Sequence, residues 1–147
     1  MSSSEIAKLH VGDMLEPMTH DPISRTTLAL FAGASGDHNP IHIDIDFAKS
    51  VGLDDVFAHG MLGMAYLGRF LTSIADQKNI RSYSVRFSSI TQVGAKLKCI
   101  GKVKEITDTS AERLMTIELS ATDQNNDVKL IGDAVICLLY TSPSPRD

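Results

Sequence analysis

The second half of the chain alternates apolar and polar residues with a period of two, and this pattern limits the fold more than any other feature. It runs through four segments, "IRSYSVRFSSI", "AKLKCIGKVKEI", "RLMTIELSATD" and "VKLIGDAVI". Strands with one apolar and one polar face are typical of antiparallel sheets. The stretches "TDTSAE" and "DQNNDV" offer turn residues for the last two connections. The first connection, around "TQVGA", lacks a sharp hairpin signal.

A long apolar helix is predicted before these strands, in "GMLGMAYLGRFLTSIADQ". Its only formal charge before Asp76 is Arg69, and its apolar surface is too broad for a helix that lies on a surface, so we expect burial on most sides. The small residues Gly63, Ala65 and Gly68 would let a sheet or a partner approach closely. The predicted fold class is α+β, with one long helix against an antiparallel sheet.

Composition narrows the class of protein. The 147 residues, 43% of them hydrophobic, are enough for one domain with a core. The net charge is −4 and no block of Lys or Arg stands out, so we expect no nucleic-acid partner. The start has no signal-peptide pattern, and no apolar run is long enough to span a membrane. With two cysteines no disulfide framework is implied, and we expect a cytoplasmic protein without a membrane partner.

The last eleven residues, "CLLYTSPSPRD", need separate treatment. In one reading frame they match the translation of a transposase adapter used in sequencing libraries. We interpret residues 137–147 as a cloning or sequencing scar and place the native domain at residues 1–136. A natural disordered tail is the alternative, and resequencing the locus would decide between the two. If the scar is real, Cys99 is the only native cysteine.

A polar loop, "DHNPIHID", follows a helix predicted in "SRTTLALFAGASG". It places Asp37 and His42 five residues apart around Pro40, which stiffens the loop. A histidine can give and take protons near neutral pH, and a carboxylate can hold a water or orient the histidine. Asn39 could add an amide donor that fixes either one. The alternative is an ordinary turn, because Asp, Asn and Pro are all common turn residues.

A second feature, "AHGM", places His59 and Gly60 at the start of the long helix. The first amides of a helix have no internal acceptor, and the helix dipole adds positive potential there. The N–H of Gly60 could therefore hold a developing oxyanion, although glycine is also common at helix ends. An acid, a base and an oxyanion donor together suit the addition or removal of water beside a carbonyl. No zinc-ligand spacing and no phosphate-binding glycine loop is found, so we expect no metal and no cofactor.

The stretches "ASGDHNPIHID" and "FAKSVGLDDVFAHGML" resemble the MaoC-like (R)-specific enoyl-thioester hydratases, also called hydratase 2. That family carries an Asp and a His five apart around Asn-Pro-[Ile/Leu]-His, then Phe-Ala, then His-Gly-Met. The resemblance is densest over residues 25–71 and extends more loosely over nearly the whole native chain. It implies a single hot-dog fold, in which an antiparallel sheet wraps around the long helix.

The resemblance also implies an activity, the reversible syn hydration of trans-2-enoyl thioesters of CoA or acyl carrier protein to (3R)-hydroxyacyl thioesters. The residues that we expect to act are the catalytic pair Asp37 and His42, the oxyanion amide of Gly60, and, in substrate binding, Asn39, His59, Met61 and Leu62. His38, between the motif positions, is expected to face solvent.

A homodimer is expected, or a heterodimer with a catalytically silent hot-dog subunit. Two other functions stay open at this point, a hot-dog thioesterase and a non-catalytic acyl-binding subunit. The spacing of Asp37 and His42 argues against the first, and the presence of both residues argues against the second.

Overall fold

The structure is a computed structural model that describes residues 1–139. Its elements follow the order α1 (Ser3–Ala7), β1 (Met18–Thr19), α2 (Arg25–Ser35), α3 (Ile45–Ser50), α4 (Gly60–Ile74), β2 (Ile80–Phe87), β3 (Lys98–Asp108), β4 (Glu112–Thr122) and β5 (Val128–Leu139). Two 3₁₀ turns, Pro40–His42 and Gln77–Asn79, lie before α3 and β2. Within the described residues, every helix is too short or too polar to cross a membrane.

The five strands form one antiparallel sheet in the order β1-β3-β4-β5-β2. Strands β3, β4 and β5 are joined in sequence as two hairpins, at the two connections that carry the turn residues. Strand β2 lies at the far end of the sheet from β3, next to β5, so the β2–β3 connection crosses the sheet. This crossing explains why the "TQVGA" region shows no hairpin signal.

The inner face of the sheet packs on α4. The period-two pattern places Cys99 and Val103 of β3 on one face, and likewise Met115, Ile117, Leu119 and Ala121 of β4. All six are at most 1% exposed, which confirms the pattern. The residues of α4 that meet them are Leu67, Phe70, Leu71 and Ile74. The chain is therefore α+β, with a sheet around one long helix, as predicted. Val128, which the same pattern in "VKLIGDAVI" places with Leu130, is 38% exposed because it is the first residue of β5.

One face of α4 is open, contrary to the expectation of burial on most sides. Met61 is 56% exposed, and Ala65 and Arg69 are also exposed. The sheet covers only one side of the helix, and the remaining side lies next to β2, the last strand of the sheet. The short helix α1 was not predicted.

The C-terminal strand continues past Ile136, where the sequence pattern ends. Cys137 is paired with Leu114 of β4 and is buried, and β5 ends at Leu139. Three residues of the segment interpreted as a scar therefore belong to a strand, and residues 140–147 lie outside the described part of the chain. The origin of the segment stays a prediction.

A second, smaller apolar cluster lies beneath α2 and α3. Of the two residues that could cap α2 by sequence, Ser24 and Thr26, it is Ser24 whose Oγ accepts the N–H of Thr27 at the start of the helix. Helix α2 ends at Gly36, whose φ of +78° is easy only for glycine. The cluster is made of Ile23, Leu28, Ala48, Val56, Ala58, Leu62, Ala95 and Leu97. It joins the loop after α2 to the start of α4, and these two segments carry the predicted site.

Candidate active site

The polar loop is shaped by side chains that bond to its own backbone. One carboxylate oxygen of Asp37 accepts the N–H of Asn39 at 3.2 Å. The side-chain oxygen of Asn39 in turn accepts the N–H of Ile41 at 3.1 Å and caps the 3₁₀ turn. The contact between Asn39 and Asp37 thus comes from the backbone N–H of Asn39, not from its side-chain amide. Asp37 itself is exposed, so its carboxylate is open to a ligand.

His42 lies at the end of the 3₁₀ turn and is 8% exposed. Its Nδ1 is 2.8 Å from the backbone carbonyl oxygen of Phe57. Because a carbonyl can only accept, Nδ1 carries a proton, and in the neutral ring the lone pair is on Nε2. The ring of Phe57 also meets the His42 ring edge-on, with centroids 4.9 Å apart. These contacts fix the ring and leave Nε2 as the nitrogen that can exchange a proton.

His59, the residue before α4, is 1% exposed and contacts both Asp37 and His42. Its Nε2–H donates to the backbone carbonyl of Asp37 at 3.1 Å. Its ring stacks on that of His42, with centroids 4.0 Å apart and an interplanar angle of 28°. Phe31 of α2 contacts its other side edge-on at 4.9 Å. Within the described part of the chain, the buried Nδ1 of His59 has no hydrogen-bond partner.

Asp37, His42 and His59 each place one polar side-chain atom within 4.8 Å of the other two. One water that makes hydrogen bonds of about 2.8 Å can bridge atoms up to about 5.6 Å apart. The three atoms are therefore close enough together to share one water. The expectation of no metal stays a prediction.

Gly60 begins α4, as predicted. No side chain caps the helix, and among residues 1–139 no backbone carbonyl accepts the Gly60 N–H. Any Cβ at this position would lie 3.1 Å from the ring of Phe87, so a side chain here would have to displace that ring. The amide is thus free to meet an oxygen of a ligand.

A cavity of about 380 Å³ adjoins Gly60, a size typical of small-molecule sites. Phe57 and Phe87 line it together with residues 88–91, Lys129 and Leu130. Residues 88–91 belong to the connection that crosses the sheet. Since Phe57 also holds His42 through its carbonyl, the cavity begins beside the polar loop.

Buried polar contacts hold the cavity wall in place. The Nζ of Lys129, which is 4% exposed, donates to the carbonyl of Ile90 at 2.8 Å and to the carboxylate of Asp127 at 2.7 Å. The Ala58 N–H donates to the carbonyl of Thr91 at 2.8 Å. Next to this wall, a hydrogen bond from the Gln92 amide lowers the pKa of the Asp123 carboxyl. The crossing connection is therefore bound to the segment that leads into α4.

The other predicted residues differ in their surroundings. His38 is exposed, as expected. Met61 is exposed beside Gly60, whereas Leu62 is 6% exposed and packs in the smaller apolar cluster. Sequence reasoning missed the rings of Phe31 and Phe57, because spacing along the chain does not show which rings meet.

An antiparallel sheet around a long helix, with an Asp–His pair on a capped loop beside a free helix-start amide, defines a hot-dog domain suited to acid–base chemistry. Residues 8–125 match the family described as "MaoC like domain", and the chain belongs to that family.

Among similar proteins, the mitochondrial 3-hydroxyacyl-[acyl-carrier-protein] dehydratase of Arabidopsis thaliana is 25% identical over 142 residues, which cover 92% of this chain and 84% of that protein. Among solved structures, the R-hydratase PhaJ1 of Pseudomonas aeruginosa superposes with a TM-score of 0.77 at 24% identity, over 95% of this chain and 92% of that one. The ChsH1-ChsH2 complex of Mycobacterium tuberculosis gives 0.73 at 20% identity, over 86% and 96%. The two structures establish the fold, and relatives that are named as dehydratases and as a hydratase support a hydration or dehydration role.

Proposed function

We propose that the protein catalyses the reversible syn hydration of trans-2-enoyl thioesters to (3R)-hydroxyacyl thioesters, with CoA or acyl carrier protein as the thiol. The observation that carries the proposal is the cluster in which polar atoms of Asp37 and His42 lie within 4.8 Å. Its two members differ in kind, since one is an exposed carboxylate and the other an imidazole held by its Nδ1–H. A single water between them has a proton acceptor on either side.

The reaction needs one water and two proton transfers. The water oxygen bonds to C3 of the enoyl group while Asp37 or His42 takes a proton from it. A proton is then delivered to the α carbon from the same small cluster, so both additions occur on one face of the double bond. Negative charge develops on the thioester oxygen, where the free N–H of Gly60 can donate. One such donor typically contributes about 3–4 kcal/mol to the transition state.

A second copy of the chain is the partner that we propose. Strand β2 ends the sheet and pairs only with β5 among the described residues. Beside it the open face of α4, with Met61 and Ala65, leaves a groove of about 600 Å³ between the helix and the strand. A neighbouring β2 could continue the sheet and cover this face. The structure named for the ChsH1-ChsH2 complex keeps a heterodimer as the other arrangement.

The test is the hydration of crotonyl-CoA, followed by the loss of enoyl-thioester absorbance. Asp37→Asn and His42→Ala should each lower kcat by about 10²–10⁴-fold, the range for loss of an acid–base group. His38→Ala is the matched control, because His38 lies in the same loop but is exposed, and it should keep wild-type activity. An (R)-specific dehydrogenase should oxidise the product.

Three results would contradict the proposal. They are an (S)-product, full activity in both loop variants, and release of free CoA thiol without hydration, which would instead indicate a thioesterase. If the folded wild type does not hydrate crotonyl-CoA, it is to be assayed with longer enoyl chains and with acyl-carrier-protein thioesters. Inactivity with all of these substrates would also contradict the proposed function.

A further inference from the structure

We propose that His59 is a positioning residue that holds both members of the catalytic pair in place without itself exchanging protons with the substrate. The inference rests on the proposed function, since it assigns a task within that reaction. It starts from two contacts of the His59 ring. One edge of the ring donates to the backbone carbonyl of Asp37, and its face stacks on the ring of His42.

The first contact fixes the loop. Asp37 follows Gly36, whose left-handed φ ends α2, so the chain direction at this point depends on what holds the next carbonyl. The Nε2–H of His59 donates to that carbonyl at 3.1 Å. This bond links the start of α4 to the residue that carries the catalytic carboxylate, across 22 positions of sequence.

The second contact fixes the catalytic ring. Successive contacts join four rings, Phe31, His59, His42 and Phe57, with centroid separations of 4.9, 4.0 and 4.9 Å. His42 stacks on His59 and meets Phe57 edge-on, and the Phe57 carbonyl holds its Nδ1. Without the ring of His59, His42 would lose its stacking partner and would be free to tilt about its contacts with Phe57.

The surroundings of His59 favour holding over proton exchange. The side chain is 1% exposed, its Nε2–H donates to the Asp37 carbonyl, and among residues 1–139 its buried Nδ1 has no hydrogen-bond partner. One ring nitrogen lies within 4.8 Å of the polar atoms of Asp37 and His42, so the pH profile of its variants has to separate positioning from proton transfer. A group that exchanges protons with a substrate must come within hydrogen-bond distance of it, directly or through a water. His59 also precedes Gly60, so the same residue sets where the helix-start amide lies.

Two substitutions separate the contacts. His59→Gln keeps a side-chain N–H donor but removes the ring, and His59→Phe keeps the ring but removes the donor. Each should lower kcat for crotonyl-CoA by about 10–100-fold, because small misplacements of reacting groups carry costs of this size, while KM changes by less than about threefold. Both limbs of the wild-type pH–rate profile should remain, because Asp37 and His42 are still present. His20→Phe is the control. His20 is partly buried, and its ring, like that of His59, contacts another aromatic ring, here Tyr66. This variant should leave kcat unchanged.

The outcomes are distinct. Wild-type kcat in both His59 variants overturns the inference and leaves the hydratase function standing. Loss of one limb of the pH profile would make His59 a proton-transfer residue, which also overturns it. A wild-type protein that hydrates no enoyl thioester contradicts both the proposed function and this inference.

If neither variant folds, as judged by thermal unfolding, the test is to measure which ring nitrogen of wild-type His59 carries the proton. The ¹⁵N shifts of the two ring nitrogens should show a proton on Nε2 and none on Nδ1. A proton on Nδ1 would contradict the bond to Asp37 and overturn the inference.

Discussion

At the scale of single residues, the polar loop combines the bonding of a turn with the geometry that we propose for the active site. Asp37 accepts the N–H of Asn39 with one carboxylate oxygen, which is ordinary turn chemistry. The carboxylate is nevertheless exposed and within 4.8 Å of a ring nitrogen of His42. Rigid local bonding is what a proton-transfer site requires, since it holds the reacting groups before the substrate arrives.

Cys99 gives a prediction about alkaline stability. The side chain is fully buried, and burial raises the pKa of its thiol to about 12. In the unfolded chain the thiol ionises near its ordinary pKa of 9.0, so above that pH the unfolded state loses a proton that the folded state keeps. The free energy of unfolding should therefore fall by about 1–2 kcal/mol between pH 8 and pH 10 on account of this group.

Urea unfolding at the two pH values measures this change, and Cys99→Ala should make it smaller. Tyr83 acts in the same direction, because burial also raises the pKa of its hydroxyl, which donates to the Met64 carbonyl. Stability that is constant or rises over this range would show that the thiol is not buried.

At the scale of elements, two glycines with opposite surroundings provide a matched pair. Gly132 of β5 is paired with Val85 of β2, and a Cβ added to it would overlap the carbonyl oxygen of Ser84 and lie 2.8 Å from the Val85 Cα. These are backbone atoms that cannot move without separating the strands. Gly132→Ala should therefore lower the free energy of unfolding by about 3 kcal/mol or more, as overpacking can.

Gly33→Ala is the control, because Gly33 lies within α2, is exposed, and has open space where a Cβ would be. It should raise stability by about 0.5–1 kcal/mol, the usual difference between glycine and alanine in a helix. Both variants are compared with wild type by urea unfolding. Equal effects of the two substitutions would show that β2 and β5 are not so closely paired.

An element can be predicted from the sequence when the residues that determine it are close together along the chain. The strands and α4 follow from periodicity, because burial of one face requires apolar residues at alternating or helical spacing. Gly60 can be predicted because helix starts have local chemical signatures. The ring stack around His42 cannot, since it joins residues from α2, the polar loop and the segment before α4. The open face of α4 is also missed by the sequence, because apolar spacing does not say whether the chain itself or a partner covers a face.

At the scale of the whole molecule, the open face of α4 and the edge of β2, which no strand within residues 1–139 covers, predict a dimer. Light scattering coupled to size-exclusion chromatography should give twice the chain mass of 15.9 kDa. The melting temperature should also rise with protein concentration, because association stabilises the folded chain by mass action. A monomer at micromolar concentration that is also active would show that neither surface needs a partner. A monomer that is inactive until a second hot-dog subunit is added would favour the heterodimer.

The topology also has a consequence for the order in which the molecule can take shape during synthesis. Asp37, His42, His59 and Gly60 are all made within the first 60 residues, but the backbone that holds their surroundings comes much later. The N–H groups of His20, Ile23 and Ala58 donate to carbonyls at residues 97, 95 and 91, and β1 pairs with β3. Strand β2 must wait still longer, for residues 130–136 of β5. A ribosome would thus release the loop and α4 before the sheet could cover them, and their apolar faces would remain uncovered until the sheet closed. Such distant pairings favour slow folding. The segments on either side of the polar loop are thus among the first parts of the chain to be translated and among the last to be fixed.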